Sequence, residues 1–316
     1  MNERATTIEL EEFLNWLTVE RGRAASTVSG YRRDVANFLE WLDSSEEQLL
    51  TAQESDITAY VAHLKHADRA PSTVARATVA IRSFFRFLAA EKMIETDPGA
   101  SVEVPNVPRG LPKALTLQQI ESLMASPVGD DPASHRDRAI LEVLYGCGLR
   151  IGELVGLDDV DVDLDGELLR VFGKGRRHRM VPLGGPASEA LAQWMSGVGR
   201  KAVLELRRDQ GPAESAVFLS TRGTKPGRRI SRQGAWMVVR GHGSRVGLGA
   251  ELTPHVLRQS CATHMLANGA DIRYAQKLLG HRSISSTQRY TALRDEEIRE
   301  IYDRSHPRAE AQVPDK

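Results

Sequence analysis

From residue 8 onward, apolar side chains return at intervals of three and four: Ile8, Leu10, Phe13, Leu14 and Leu17, stopping near Gly22. A second run, Val28, Tyr31, Val35, Phe38, Leu39 and Leu42, predicts another helix with Ser26 as its N-cap and Arg32 and Arg33 on the opposite face. A third helix is predicted from Glu54 to Lys65. A fourth follows Pro71, capped by Ser72, with Val74, Val79, Ile81, Phe84, Phe85 and Leu88 beside Arg76, Arg82 and Arg86. Residues 1–96 therefore read as a small all-α domain. Four prolines between 97 and 112 exclude a helix or a central strand, so 97–113 reads as a linker.

Beyond the linker, Thr116 and Gln119 fit a capping box, and a helix is predicted over Ser134–Tyr145. Gly146-Cys147-Gly148 breaks it, and the chain restarts a helix with Arg150 at its beginning. Between 158 and 183 the period changes: Leu168–Phe172 and Met180–Leu183 read as strands of a hairpin, with Lys174 at the tip between Gly173 and Gly175. Helix is predicted again over 186–206, a short strand over Val217–Leu219, and a helix over Ser231–Val246. Thr253-Pro254 is a helix start, a capping hydroxyl followed by proline at the first helical position. Leu257, Cys261, His264 and Met265 form that helix's apolar stripe, so His264 is assigned to packing. Gly269 ends it, Asp271 caps the next, and Ser285 or Ser286 caps a short helix carrying Tyr290. A last amphipathic helix bears Ile298, Ile301 and Tyr302, and its apolar face is expected to need a partner. The polar tail from His306 is expected to be loose. The pattern is mainly α with a small antiparallel β-sheet: an α-helical domain at 1–96, an α+β domain at 114–305 and a flexible tail at 306–316.

The net charge is zero, but the halves differ. Residues 1–110 carry 12 basic and 17 acidic side chains, and residues 170–240 carry 15 basic and 4 acidic ones. The second segment has the charge of a nucleic-acid footprint, or of a solvated face whose counter-charges come from the fold. No apolar run is long enough to span a bilayer, and the opening MNERATTIELEEF lacks a signal-peptide core. Cys147 and Cys261 lie in apolar contexts without a CxxC pattern, which fits reduced thiols and a cytoplasmic location.

Four chemistry-bearing side chains, His255, Arg258, His281 and Tyr290, fall within forty residues. His255 and Arg258 share a face in the first turns of their helix, where N–H groups and the dipole favour an anion. Arginine donates two parallel hydrogen bonds to a phosphate, and Arg150 supplies a second fork. Either arginine alone reads more simply as a surface ion pair. The histidines lack metal-ligand spacing, so no metal is expected. Tyr290 offers a phenol that needs a base or cationic surroundings to act as a nucleophile. Lys174 is not part of a Walker A loop, so ATP is not implied.

These residues stand in motifs that together resemble one family. GLRIGELVGL around Arg150, GKG at Lys174, HVLR at His255 and Arg258, LLGHRSISSTQRYT at His281 and Tyr290, and the HPRA ending occur in family order. The chain resembles the tyrosine recombinases, most closely the Xer group. SRQGAW at 231–236 and the VERG…SGYRRD opening are more similar to the XerD branch than to the XerC branch.

The resemblance implies a core-binding (SAM-like) N-terminal domain and a catalytic domain that together clamp duplex DNA. It implies that Tyr290 attacks the scissile phosphate to form a 3′-phosphotyrosyl link, with Lys174 the acid for the departing 5′-hydroxyl and His255 the proton partner of Tyr290. Arg150, Arg258 and His281 would hold the phosphoryl oxygens. Arg32, Arg33, Arg76, Arg82, Arg86, Arg176 and Arg177 are the candidate DNA-backbone contacts. No cofactor is implied. The implied partners are a double-stranded DNA recombination site, a second, XerC-like recombinase in a heterotetramer, and a DNA translocase as activator. The implied role is resolution of chromosome dimers at cell division. Gln259 and Cys261 depart from the histidine and the aromatic residue that the family usually has there. The alternatives are a mobile-element integrase of the same family and a DNA-binding paralogue impaired in catalysis.

Overall fold

The computed structural model describes residues 8–45, 48–107, 114–173, 178–207, 214–223, 226–279 and 295–309. The chain divides into two compact units, Met1–Gly110 and Leu111–Lys316.

The first unit holds α1 (Ile8–Val19), α2 (Ala25–Ser44), α3 (Glu54–His66) and α4 (Pro71–Ala90). Its core is drawn from the predicted apolar set, with Leu10, Phe13, Phe38, Phe84 and Phe85 fully buried, while Ile8 and Val79 are exposed. Phe38 meets Tyr60 edge-on at 5.2 Å and Phe85 at 5.8 Å, the geometry in which ring edges face ring faces. The caps differ from expectation. Ser26 and Ser72 lie inside the first turns; Ala24 and Ala70 occupy the N-cap positions without a side-chain hydrogen bond. Pro71 at the first helical position fixes φ and lacks an N–H, which removes one of the groups a cap would serve. The start of the expected linker also packs: Arg82 donates to the Ala100 carbonyl at 3.1 Å, and Val102 is buried in this core.

The second unit contains α5 (Leu117–Met124), α6 (Pro132–Gly146), α7 (Ile151–Leu154), α8 (Gly185–Met195), α9 (Ala202–Glu205), α10 (Arg232–Arg245), α11 (Pro254–Ala267), α12 (Ile272–Leu279) and α13 (Asp295–Ser305). Helix α6 is its axis, with an unbroken buried run from Ala139 to Gly146. It begins at Pro132, two residues before the expected start, and Asp131 caps it, accepting from the Ala133 N–H at 2.9 Å. The Thr116 and Thr253 caps form as predicted.

A three-stranded antiparallel sheet runs β1 (Val162–Asp163), β2 (Leu168–Phe172), β3 (His178–Pro182), with Val171 opposite Arg179. Strand β1 is two residues long, too short to show a period. Val217–Leu219 is not a strand; single bridges join Asp158 to Ala216 and Leu219 to Arg229. The helix expected over 186–206 breaks after Met195. Ser196 is extended, and Gly199 takes φ −103° and ψ −106°, where a Cβ would stand 2.1 Å from the Trp194 carbonyl oxygen. The Ser-Gly-Val-Gly stretch at 196–199 supplies the residues such a break needs.

The C-terminal end departs most from expectation. Tyr302 is fully buried in its own unit, and Ile301 packs against the same core. The tail is held as far as Ala309: His306 stacks on Tyr302 at 4.7 Å, Arg308 pairs with buried Glu142 at 3.1 Å, and the Ala309 carbonyl accepts from the Gly185 N–H at 3.2 Å. The exposed polar letters of this tail hide a histidine that is neutral and packed. Burial first, then repulsion from His264 and Arg308, pushes His306 down to about 3.

Candidate active site

Two of the predicted cations meet around a carboxylate that sequence reasoning had not singled out. Arg150 is the N-cap residue of α7, and its backbone N–H donates to Glu153 at 2.9 Å while its guanidinium donates to the same carboxylate at 2.8 Å. Arg179, on β3, grips Glu153 with both arms at 3.0 Å. Arg258 comes from the second turn of α11, with Nη1 3.9 Å from Glu153. Its guanidinium also donates to the carbonyls of Gly148 and Leu279.

Glu153 and Arg258 are both buried, whereas the Arg150 side chain is 47% exposed. One arginine is thus sealed in place by neutral acceptors, and the other projects toward solvent beside it. Among the described residues, three guanidinium groups gather on this one carboxylate, three positive charges to one negative. Burial first, and then repulsion from Arg150, pulls Arg258 down to about 10. It remains protonated at neutral pH, but the site is short of negative charge, and an entering anion would relieve it. Burial pushes the Glu153 carboxyl up, yet the Arg179 fork and the Arg150 N–H outweigh it and hold the group below its ordinary value.

Gly148 shapes the floor of the site. Its φ of +57° belongs to the left-handed region, and a Cβ there would stand 2.6 Å from Leu279 Cδ2 and 3.2 Å from Cys261 Sγ. Its carbonyl and that of Leu279 are the ones that hold Arg258, so the crowding acts directly on the guanidinium. Gly148→Ala is expected to lower stability by ~1–2 kcal/mol through the left-handed backbone alone, and to reduce DNA cleavage more than binding. Thermal denaturation beside a cleavage assay checks this; wild-type values in both would contradict it.

His255 is exposed one turn before Arg258, on the first turn of α11. His264 is the packing residue expected: Tyr145 Oη lies 2.9 Å from Nδ1, and Nε2 lies 2.8 Å from the Leu115 carbonyl. Both cysteines are buried and unpaired, and burial pushes the Cys261 thiol up to about 12. Lys174, Arg176, Arg177, His281 and Tyr290 lie outside the described residues.

The structure divides the candidate backbone arginines of α2 and α4. Arg32 pairs with exposed Glu11, Arg76 pairs with Asp34, and Arg82 is tied to Ala100, while Arg33 and Arg86 are exposed. The basic segment at 170–240 is also partly spent inside the fold. Arg170 pairs with Asp161 at 2.8 Å, Arg200 donates to the Ala216 carbonyl at 2.8 Å, and Arg229 pairs with Asp158. Arg222, Arg232 and Arg240 are exposed. Arg232 reaches α7. It lies against Gly152 of α7, where a Cβ would be 3.2 Å from its Nε. Arg240, two turns on, covers Trp236 at 5.0 Å.

The model of the phage integrase family matches residues 113–297, and that of the phage integrase N-terminal SAM-like domain matches residues 10–92. The chain belongs to the phage integrase family. Tyrosine recombinase XerD of Halalkalibacterium halodurans is 39% identical over 302 residues, which are 95% of this chain and 98% of that one. Tyrosine recombinase XerC of Herpetosiphon aurantiacus is 42% identical over 285 residues, 90% of each chain. Relatives this similar over nearly the whole length make it a tyrosine recombinase of the Xer type, a DNA recombinase enzyme. A lambda integrase tetramer bound to a Holliday junction has the same fold, with a TM-score of 0.66 at 20% identity over 88% of this chain and 74% of that one. Gly148, Arg150, Glu153, Arg179 and Arg258 thus form a cationic cluster that could accept an anion, with His255 exposed one turn before Arg258.

Proposed function

We propose that this recombinase cuts and rejoins duplex DNA through a 3′-phosphotyrosyl intermediate and a Holliday junction, in a XerD-like role at chromosome-dimer resolution. The observation that carries the reading is the convergence, among the described residues, of Arg150, Arg179 and buried Arg258 on Glu153. That arrangement suits a scissile phosphate whose negative charge grows as a fifth oxygen approaches.

In this reading the Tyr290 phenolate oxygen bonds to phosphorus and the bond to the 5′-oxygen breaks. Lys174 gives that oxygen its proton. His255, exposed beside the fixed Arg258, takes the phenol proton. Arg150, Arg258 and His281 bind the non-bridging oxygens. The reverse step uses the 5′-hydroxyl of a partner strand, and the phosphotyrosine keeps the bond energy, so neither a metal nor a nucleotide is required. Arg33, Arg76 and Arg86 of the first unit, and Arg176 and Arg177 of the hairpin, would meet the DNA backbone. A second, XerC-like recombinase would complete a heterotetramer, a DNA translocase would activate it, and the setting is the cytoplasm. That a relative of the same fold is a tetramer on a Holliday junction supports the assembly.

The test is a nicked duplex carrying a Xer recombination site, incubated without divalent metal and resolved on a denaturing gel. Wild-type protein should give a covalent protein–DNA adduct, and Tyr290→Phe should give none while still binding the duplex. An adduct that persists in Tyr290→Phe would overturn the assignment of the nucleophile. Binding without an adduct in the wild type would favour the impaired paralogue that Gln259 and Cys261 raise.

A further inference from the structure

Helix α4 is electrostatically unlike the unit that carries it. Residues 1–110 have an acidic excess, yet Pro71–Ala90 contains three arginines and no carboxylate. Arg76, Val79 and Arg86 are exposed along one stripe of it. Of these, Arg76 alone leans back onto α2. Its Nη1 passes over Gly30, where a Cβ would stand 3.8 Å away, and ends 2.7 Å from Asp34 Oδ2. The Arg76 side chain is 44% exposed, and that of Asp34 only 5%.

A buried carboxylate between two helices is an expense that a packed apolar residue would avoid. Asp34 faces Arg76 from α4 and Arg33 on its own helix, with Tyr60 of α3 next in range. Burial pushes its carboxyl up, and the two nearest arginines oppose that. The Arg76 guanidinium meets Oδ2 as an ion pair at 2.7 Å. The pair tethers Nη1 while the Arg76 side chain stays 44% exposed. Arg32 differs, because its partner Glu11 is itself half-exposed and can swing with it.

We propose that Asp34 is a positioning residue: it anchors the Arg76 guanidinium across the α2–α4 pair so that its outer edge meets a DNA phosphate. The inference rests on the reading of the first unit as DNA-binding. It makes a prediction opposite in sign to simple electrostatics. Asp34→Asn raises the net charge by one, which by itself tightens binding to any DNA. A lost anchor weakens it.

The experiment uses the full chain and a duplex that the wild-type protein has selected from a randomised pool, with affinity measured across a salt series. Asp34→Asn and Arg76→Ala should each bind several-fold more weakly, and each should lower the log–log salt slope by about one phosphate contact. The double variant should be no weaker than Arg76→Ala alone. Unchanged or tighter binding by folded Asp34→Asn, with Arg76→Ala weakened, would overturn the positioning role and leave the DNA reading standing. Should Asp34→Asn fail to fold, Arg76→Lys decides: it keeps the charge but not the planar fork, and wild-type affinity there would also overturn the inference. If Arg33→Ala, Arg76→Ala and Arg86→Ala all leave the slope unchanged, the DNA-binding reading of this unit falls, and the inference with it.

Discussion

Glu153→Gln is expected to destabilise the recombinase by ~3–5 kcal/mol, the cost of removing one partner from a buried charge cluster. The substitution keeps shape and removes charge. Arg179 donates two hydrogen bonds to the carboxylate, Arg150 donates two more, and Arg258 lies at 3.9 Å. An amide turns a donor toward at least one of these donors and removes the negative charge that the three cations share. Cleavage should fall by about 100-fold, because a displaced guanidinium no longer sits where the phosphoryl charge grows. The pH dependence gives a second check. The folded-state value of Glu153 is depressed below the ordinary 4.5. Its contribution is therefore complete above 4.5 and is lost as pH falls through the folded value. Denaturant titrations at neutral and acid pH should show the gap between wild type and variant narrowing on the acid side. A gap that stays constant down to pH ~3 would remove Glu153 as the keystone.

The parts of this site that sequence patterns exposed were those encoded locally. Thr253-Pro254 announces the start of α11, and that start fixes which face Arg258 takes. Gly146-Cys147-Gly148 announces the break that puts Arg150 at a helix beginning. Glu153 is three residues from Arg150 and forms its capping box, but a capping glutamate is an everyday feature. Its second role depends on Arg179, 26 residues away on β3, and no local pattern carries that pairing. A strand was readable only from Met180, one residue past Arg179, and the direction of Arg179 depends on Leu278, whose carbonyl accepts from its Nε at 2.8 Å. Charge density misled for the same reason: counting arginines between 170 and 240 cannot tell those that brace carbonyls, such as Arg200, from those that face solvent.

The second large effect is expected at the C-terminal helix. Tyr302→Ala should lower stability by ~3–5 kcal/mol, as for other fully buried aromatic residues, while Tyr302→Phe should cost only ~1 kcal/mol for the hydrogen bond it loses. The ring lies in the core of the second unit, its hydroxyl donates to the Gly146 carbonyl at 3.1 Å, and His306 stacks on it with an interplanar angle of 7°. Amphipathic spacing had suggested a face in search of a neighbour, because Ile298, Ile301 and Tyr302 appear on a short, highly charged helix. What the spacing could not show is that Gly146 ends α6 where a tyrosine hydroxyl can reach its carbonyl. Nor could it show that Gly184 leaves room for the tail, since a Cβ there would stand 1.9 Å from the Arg308 carbonyl oxygen. In this cis arrangement, any exchange of α13 between subunits must withdraw a buried aromatic ring and offer it an equivalent pocket on the neighbour. Tyr302→Ala and Tyr302→Phe therefore separate the two arrangements. If the helix docks at home, the Ala variant loses several kcal/mol as a dilute monomer, independent of protein concentration. If it docks only on a neighbour, the loss appears when subunits assemble and vanishes on dilution. Denaturation of both variants across a concentration series reads the difference, and a concentration-dependent loss confined to the assembled protein would refute the cis arrangement.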